Sequence, residues 1–361
     1  MTTTPQMLDP EGIEQYRNMF HTFGRLEAPD LASPMYAELS YGISLDDELI
    51  ALAAQKRQGQ PAPNVLFAAV QYLLLSGGVY RDHPLSEHYP IVCGRERPLR
   101  PAFPLFRDFC LTYHEELLEL ICTRGTQTNV VRRCTCLLPL FSAVARESGL
   151  PLALIDLGAS GGANLNFDRY CYSYRRGGVE QSHWGRAEAR VLLESELRGV
   201  GAMPSLADEI RVASRVGVDL NPIDLRDPDQ VRWLRALIWP EHVERHQRLL
   251  DVAAEQEASP VSLYRGDGAE LLPQLIAAAP SAETAALVVY ATIALYQFGR
   301  ERVERIRRTL CEASRARPIW LVAMEGSQPT RLSITRYREG AEAREDLGHS
   351  SPHGWWIEWA A

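Results

Sequence analysis

One lysine, Lys56, stands among the 38 basic residues of this 361-residue chain; every other positive side chain is arginine. Its setting, AAQKRQGQ, is polar and reads as solvent-facing. A P-loop requires a Gly-Lys-Ser/Thr triplet and a pyridoxal enzyme a buried Schiff-base lysine, so both classes are excluded. Long apolar runs are scarce as well. The longest, VLFAAVQYLLL, is interrupted by Gln71 and is too short to span a bilayer. The segment MTTTPQMLDPEGIEQY has no basic stretch followed by an apolar one, which predicts a cytoplasmic protein without membrane association. The seven cysteines include no CxxC pair and are odd in number, so reduced, mostly buried thiols are expected. His242 and His246 have the i, i+4 spacing of a zinc helix, but Val243 stands where such a site needs glutamate, and no metal is expected. The net charge of -8 opposes nucleic acid and anionic membranes before any specific contact forms. A small-molecule substrate remains as the expected partner.

A length of 361 residues with 46% apolar content suggests one large domain or two smaller ones. Residues 1–150 read as a helical domain. SLDDELIALAAQKR opens with Ser44 as a cap and acidic residues in its first turn; NVLFAAVQYLLLSGG runs from an asparagine cap to glycines. Proline-rich stretches such as RERPLRPAFPLF separate the helices. This domain reads either as a lid over a site or as a dimer interface, so a homodimer stays open.

Residues 151–361 alternate short apolar strands with helices. LALIDLG, RVGVDLNP, VSLYRGDG, AALVVYATIALY and RPIWLVAMEG have the form of strands buried on both faces, and the helices between them imply a parallel sheet with right-handed crossovers. RLSITRYRE and GWWIEWA read as a terminal hairpin on the sheet's edge. In such a sheet a ligand sits at the carboxyl ends of the strands. The first strand ends in Asp156, Gly158, Ser160, Gly161 and Gly162, where small residues admit close backbone approach. The second ends in Asp219 and Leu220, with a carboxylate placed for ribose hydroxyls. The third ends in Asp267 and Gly268, with an acid placed for an adenine amino group. The fourth ends near Tyr290, beside Tyr296 and Phe298 as pocket walls. Asp219 follows the glycines by about sixty residues rather than the roughly twenty of a dinucleotide site, so an insertion is expected around residues 171–210, as a lid or as extra strands.

DLGASGG, GVDLNP, RGDG, a fourth apolar strand and a closing strand pair, in that order, resemble a class I S-adenosylmethionine-dependent methyltransferase. Nearly the full chain, on PNVLFAAVQYLLL, TRGTQTNVVRRC, LIDLGASGGANLNFDRYCYSY and PHGWWIEW, resembles the bacterial domain-of-unknown-function family 2332. That resemblance implies an α/β fold: a Rossmann-like class I methyltransferase sheet with a helical N-terminal domain and a terminal β-hairpin. It also implies S-adenosylmethionine, as methyl donor or as substrate. The chain departs from the pattern at Ser160, where a middle glycine is usual. It departs again at Val130, where glutamate usually follows Gln-Thr-Asn, and at Ala291 and Thr292, where His-Ser is frequent. The missing histidine removes an obvious general base.

Under the resemblance, TRGTQTNVVRRC closes over the amino-acid end of the cofactor. Arg124, Arg132 or Arg133 meets its carboxylate there, and Asn129 or Gln127 its amine, with Thr128 offering a hydroxyl beside them. The alternative is a polar helix cap with a solvated basic face. Tyr170, Tyr172 and Tyr174 alternate; they line the sulfonium centre, with Tyr174 and Tyr296 as candidate catalytic residues, or they form a packed aromatic stripe. Asn164 faces the ligand and Asn166 the helix. Asn129 and His353 complete the catalytic candidates. Three functions stand: a small-molecule methyltransferase; an enzyme in which the cofactor's own amine displaces methylthioadenosine to give azetidine-2-carboxylate; and a non-catalytic cofactor-binding protein.

Overall fold

The computed structural model describes residues 9–30, 32–127 and 129–360. The chain forms two compact units: Met1–Thr128 with Asp227–Leu250, and Asn129–Arg226 with Asp251–Ala361. The division expected at residue 150 is therefore displaced. The helix Cys134–Ser148 belongs to the second unit, because its apolar face joins that core: Phe141 meets the Phe167 ring at 4.7 Å and the Tyr290 ring at 5.2 Å. Residues 227–250, expected in the strand-rich part, go with the helices.

In the first unit the helix Ala62–Ser76 is buried along most of its length, which suits a segment apolar on nearly every face. It starts after Pro61, so the expected asparagine cap, Asn64, lies within its first turn. Ser44 likewise ends the helix Pro34–Ile43, and the next helix, Asp47–Ala54, is capped by Asp46, whose carboxylate accepts the Glu48 and Leu49 N–H groups. The stronger acceptor two residues on displaces the hydroxyl. Gln71, the polar break in the longest apolar run, is fully buried, and its amide donates to the carbonyls of Arg235 and Ala236 at 3.1 Å and to that of Ile238. These carbonyls lie at and just past the end of the helix Pro228–Ala236; that of Arg235 also accepts the Ile238 N–H, while those of Ala236 and Ile238 depend on the Gln71 amide.

The second unit is built on one mixed sheet of eleven strands: β1 Leu152–Leu157, β2 Cys171–Arg176, β3 Val179–Trp184, β4 Leu192–Arg198, β5 Val212–Asp219, β6 Ser262–Arg265, β7 Ala286–Thr292, β8 Ile319–Glu325, β9 Thr330–Arg338, β10 Ala341–Ser350 and β11 Trp356–Trp359. Their order is β3-β2-β4-β11-β10-β9-β8-β7-β1-β5-β6. The run β6-β5-β1-β7-β8 is parallel throughout. The expected insertion supplies β2, β3 and β4, which extend the sheet. The closing strands differ from expectation. β9 pairs with β10, whose AEAREDLGHS is too charged to read as a strand because its first half is exposed. β11 lies between β10 and β4, so neither β9 nor β11 is at an edge.

Replacing Gln71 by leucine keeps the volume but removes the donor to the Ala236 and Ile238 carbonyls, and stability should fall by about 2–3 kcal/mol. Urea unfolding measures it; a loss below about 0.5 kcal/mol would show that water satisfies those carbonyls.

Candidate functional site

All six residues of β1 are buried, so the backbone beyond it must find its hydrogen bonds in a tight turn. Gly158, Ser160 and Gly162 are left-handed there, at φ of 83°, 51° and 70°. Gly158 and Ala159 donate to the Val218 carbonyl, Gly162 to that of Ala159, and Ile223 to that of Ser160. The decisive contact is a pair of charge-assisted hydrogen bonds. Asp219 accepts the Ser160 N–H on one carboxylate oxygen and the Asn221 N–H on the other, each at 2.8 Å. A left-handed serine costs about 1–2 kcal/mol, and two charge-assisted hydrogen bonds offset it. At the adjacent strand end Ile293, just past β7, is also left-handed at φ 52°, an outlier for a β-branched residue. Strain thus gathers at β1 and β7, the point where the order of the parallel strands reverses across the sheet. Ligands settle at such switch points.

Asp156 lies opposite Gly217 on β5 and Tyr290 on β7. It is buried, and burial raises its carboxyl to about 7; the Tyr290 hydroxyl pulls the other way, Asp219 adds to the rise and Arg133 opposes it. The Tyr290 hydroxyl approaches with geometry short of a full hydrogen bond. Asp156 Oδ1, Tyr290 Oη and Asn129 Nδ2 are all buried and have no hydrogen-bond partner among the described residues. Asn129 belongs to the turn: its Nδ2 is 2.8 Å from where a Cβ on Gly161 would stand. Arg133 is buried too, which lowers its guanidinium to about 10. It donates to the carbonyls of Thr292 and Pro352, both at 2.9 Å. Asn164 bridges the same region, donating to Thr292 Oγ1 at 3.5 Å and accepting the Cys134 thiol at 3.3 Å.

Other expected residues have different partners. Arg124 lies in the helical unit, paired with Asp229 at 2.5 Å and stacked against the Tyr72 and Trp233 rings, so its charge is already matched. Gln127 also falls in that unit, and Thr128 lies outside the described residues. The tyrosine hydroxyls are engaged by main-chain carbonyls: Tyr170 with Ala163, Tyr172 with Phe167 and Tyr174 with Thr135. All three rings are buried, as in a packed stripe, and the Tyr174 hydroxyl is occupied by the main chain. Asp267 caps the helix Gly268–Ala278 and pairs with Arg302 at 2.6 Å, while Gly268 gives the Phe298 ring room. Asn166 donates to the Ser259 carbonyl. Tyr296 and Leu220 are 69% and 66% exposed and so are open to a ligand. His353 lies in the loop between β10 and β11, which meets residues 132–135: Thr135 Oγ1 donates to the Gly354 carbonyl.

Glu325 was missed by the sequence reading. At the end of β8 it accepts the Ala294 and Leu295 N–H groups at 2.8 and 3.0 Å, and burial raises its carboxyl. The acidic-strand-end criterion that selects Asp219 also selects it, in AMEG. Gln256 was missed as well; it donates to the Gly161 carbonyl at 2.8 Å and borders a cavity of about 230 Å³ lined by Ile223, Val261 and Leu263.

A family model described as an uncharacterized protein conserved in bacteria, DUF2332, matches residues 17–359. The chain belongs to this family. No curated protein matches the chain. In this DUF2332 protein no described helix is long and apolar enough to cross a membrane. Among its described residues no group of three or more His, Cys, Asp or Glu side chains is placed to hold a metal ion.

The Asp156 carboxyl titrates near 7 when folded against an ordinary 3.8. Between those values the folded chain holds a proton that the unfolded chain releases, so this group's contribution to stability falls as pH rises from about 4 to about 7 and is level above that, by at most roughly 4 kcal/mol. Asp156→Asn should remove this component, giving a flatter pH dependence in urea unfolding than the wild type. Parallel profiles for the two proteins would contradict the assignment.

Proposed function

We propose that this DUF2332 protein is an S-adenosylmethionine-dependent enzyme acting on small molecules, methyltransferase-like, with the nucleoside held at the turn after β1. The observation that carries the reading is that turn: a left-handed Ser160 fastened by Asp219 where the parallel strand order reverses. The parallel run β6-β5-β1-β7-β8 supports a Rossmann-like core of the methyltransferase kind, to which the remaining strands are added.

The residues present fit such a ligand. Each Asp219 oxygen keeps a lone pair after accepting its N–H, which suits a ribose diol. Asn129 Nδ2 is a buried donor without a partner, suited to a carboxylate or carbonyl oxygen rather than to an amine. Asp156 Oδ1 is an acceptor without a partner, suited to an ammonium. Leu220 and Tyr296 offer exposed apolar surface for a flat ring. When bound, S-adenosylmethionine supplies a methyl group activated by its sulfonium. The chain's own part is to hold and align. With Ala291 and Thr292 closing β7, no histidine is available there as a base, so the acceptor is one that needs none, an amine or a thiolate.

Calorimetry should detect S-adenosylmethionine binding, and Asp219→Ala should weaken it about tenfold or more, ~1.4 kcal/mol. Mass spectrometry should find S-adenosylhomocysteine only when an amine or thiol acceptor is added. Methylthioadenosine formed from S-adenosylmethionine alone would replace methyl transfer by cyclisation of the cofactor. Binding without turnover would leave a binding protein, and no binding of the cofactor or its products would remove the reading altogether.

A further inference from the structure

We propose that Cys171 is a modification site, a base-assisted thiol paired with His183 that small hydroperoxides oxidise to a sulfenic acid. The inference is independent of any cofactor. It rests on the β2/β3 hairpin at the end of the sheet, where the register sets His183 opposite Ser173. Cys171 and Ser173, two residues apart, share the face opposite Tyr172 and Tyr174. That places Cys171 Sγ 3.3 Å from His183 Nε2. Ser173 Oγ donates to Glu180 Oε2 at 2.6 Å, and the same oxygen lies 3.9 Å from His183 Nδ1. A carboxylate on that side favours the tautomer with its proton on Nδ1, which leaves Nε2 as the acceptor for the thiol. Arg175, 3.4 Å from both Ser173 Oγ and Glu194 Oε1 on β4, holds the far side of the group.

Of the seven cysteines, Cys171 alone faces an imidazole nitrogen among the described residues. Cys93, Cys122 and Cys311 donate to main-chain carbonyls and Cys134 to the Asn164 amide oxygen, none of which takes a proton. Cys110 is buried in the helical core, and Cys136 meets the Ser350 and Thr135 hydroxyls. Burial pushes the Cys171 thiol up, so the sulfur rests as the thiol. In the step the sulfur attacks one peroxide oxygen and the O–O bond breaks. The thiol proton passes to His183 Nε2 and on to the departing hydroxide, giving Cys–SOH and water; sulfur is oxidised and peroxide reduced. Cys171 is only 5% exposed, which admits a reagent as small as hydrogen peroxide, while the half-exposed His183 exchanges its proton with solvent.

Reduced full-length protein would be treated with hydrogen peroxide, quenched, unfolded in a cyclic diketone that traps sulfenic acids, and its cysteine peptides quantified over time. The Cys171 peptide should be labelled several-fold faster than those of the more exposed Cys93, Cys122 and Cys311. His183→Gln should slow Cys171 labelling several-fold and leave the other peptides unchanged. Glu180→Gln, a half-exposed position that does not touch the sulfur, should slow it in the same direction. Labelling that follows exposure, with Cys171 behind the other three, would overturn the proposal. So would wild-type rates at Cys171 in both variants.

Discussion

The Asp219 carboxylate grips two backbone N–H groups, and the turn after β1 depends on that grip. A strand buried on both faces cannot end by opening its backbone to water. Its exit must be folded back and paired, which left-handed residues at Gly158, Ser160 and Gly162 accomplish. Gly217 is the other half of the constraint. A Cβ there would stand 2.6 Å from both the Ala159 and Leu263 side chains, so the turn could not lie on β5 if that position carried a side chain. The site is therefore built by β1 and β5 together, although about sixty residues separate their ends.

The same economy of buried polar groups governs the helical unit. Gln71 ends one helix, and the Arg124–Asp229 pair joins Tyr72 and Trp233 around a second cluster. Polar residues that read as ligand contacts prove to be partners of the main chain or of other charges. Buried polar atoms without partners occur in both units, and three of them, Asp156 Oδ1, Tyr290 Oη and Asn129 Nδ2, belong to the strand end that carries the turn. Buried groups of this kind call for a partner such as ordered water or a ligand.

The strands that carry the site were legible because doubly buried parallel strands are short apolar runs with acids and glycines at their ends. Asp156, Asp219 and the glycine turn were found on that signal, and Glu325 carries it too. AEAREDLGHS escaped because an exposed strand has no apolar period to read. The partners of Tyr174 and Arg124 were not legible for a related reason: residue type reports what a side chain can do, and only the fold tells which neighbour reaches it first. The division near residue 128 and the return of residues 227–250 to the helical unit have no local signature, since both follow from which apolar faces meet in space.

The Asp219-fastened turn is proposed as a nucleoside site. A crystal structure with S-adenosylhomocysteine tests it most directly. The ribose should lie within hydrogen-bond reach of Asp219, with the amino-acid end toward Asn129 and Asp156. A nucleoside bound elsewhere on the chain, with Asp219 still holding only Ser160 and Asn221, would contradict it.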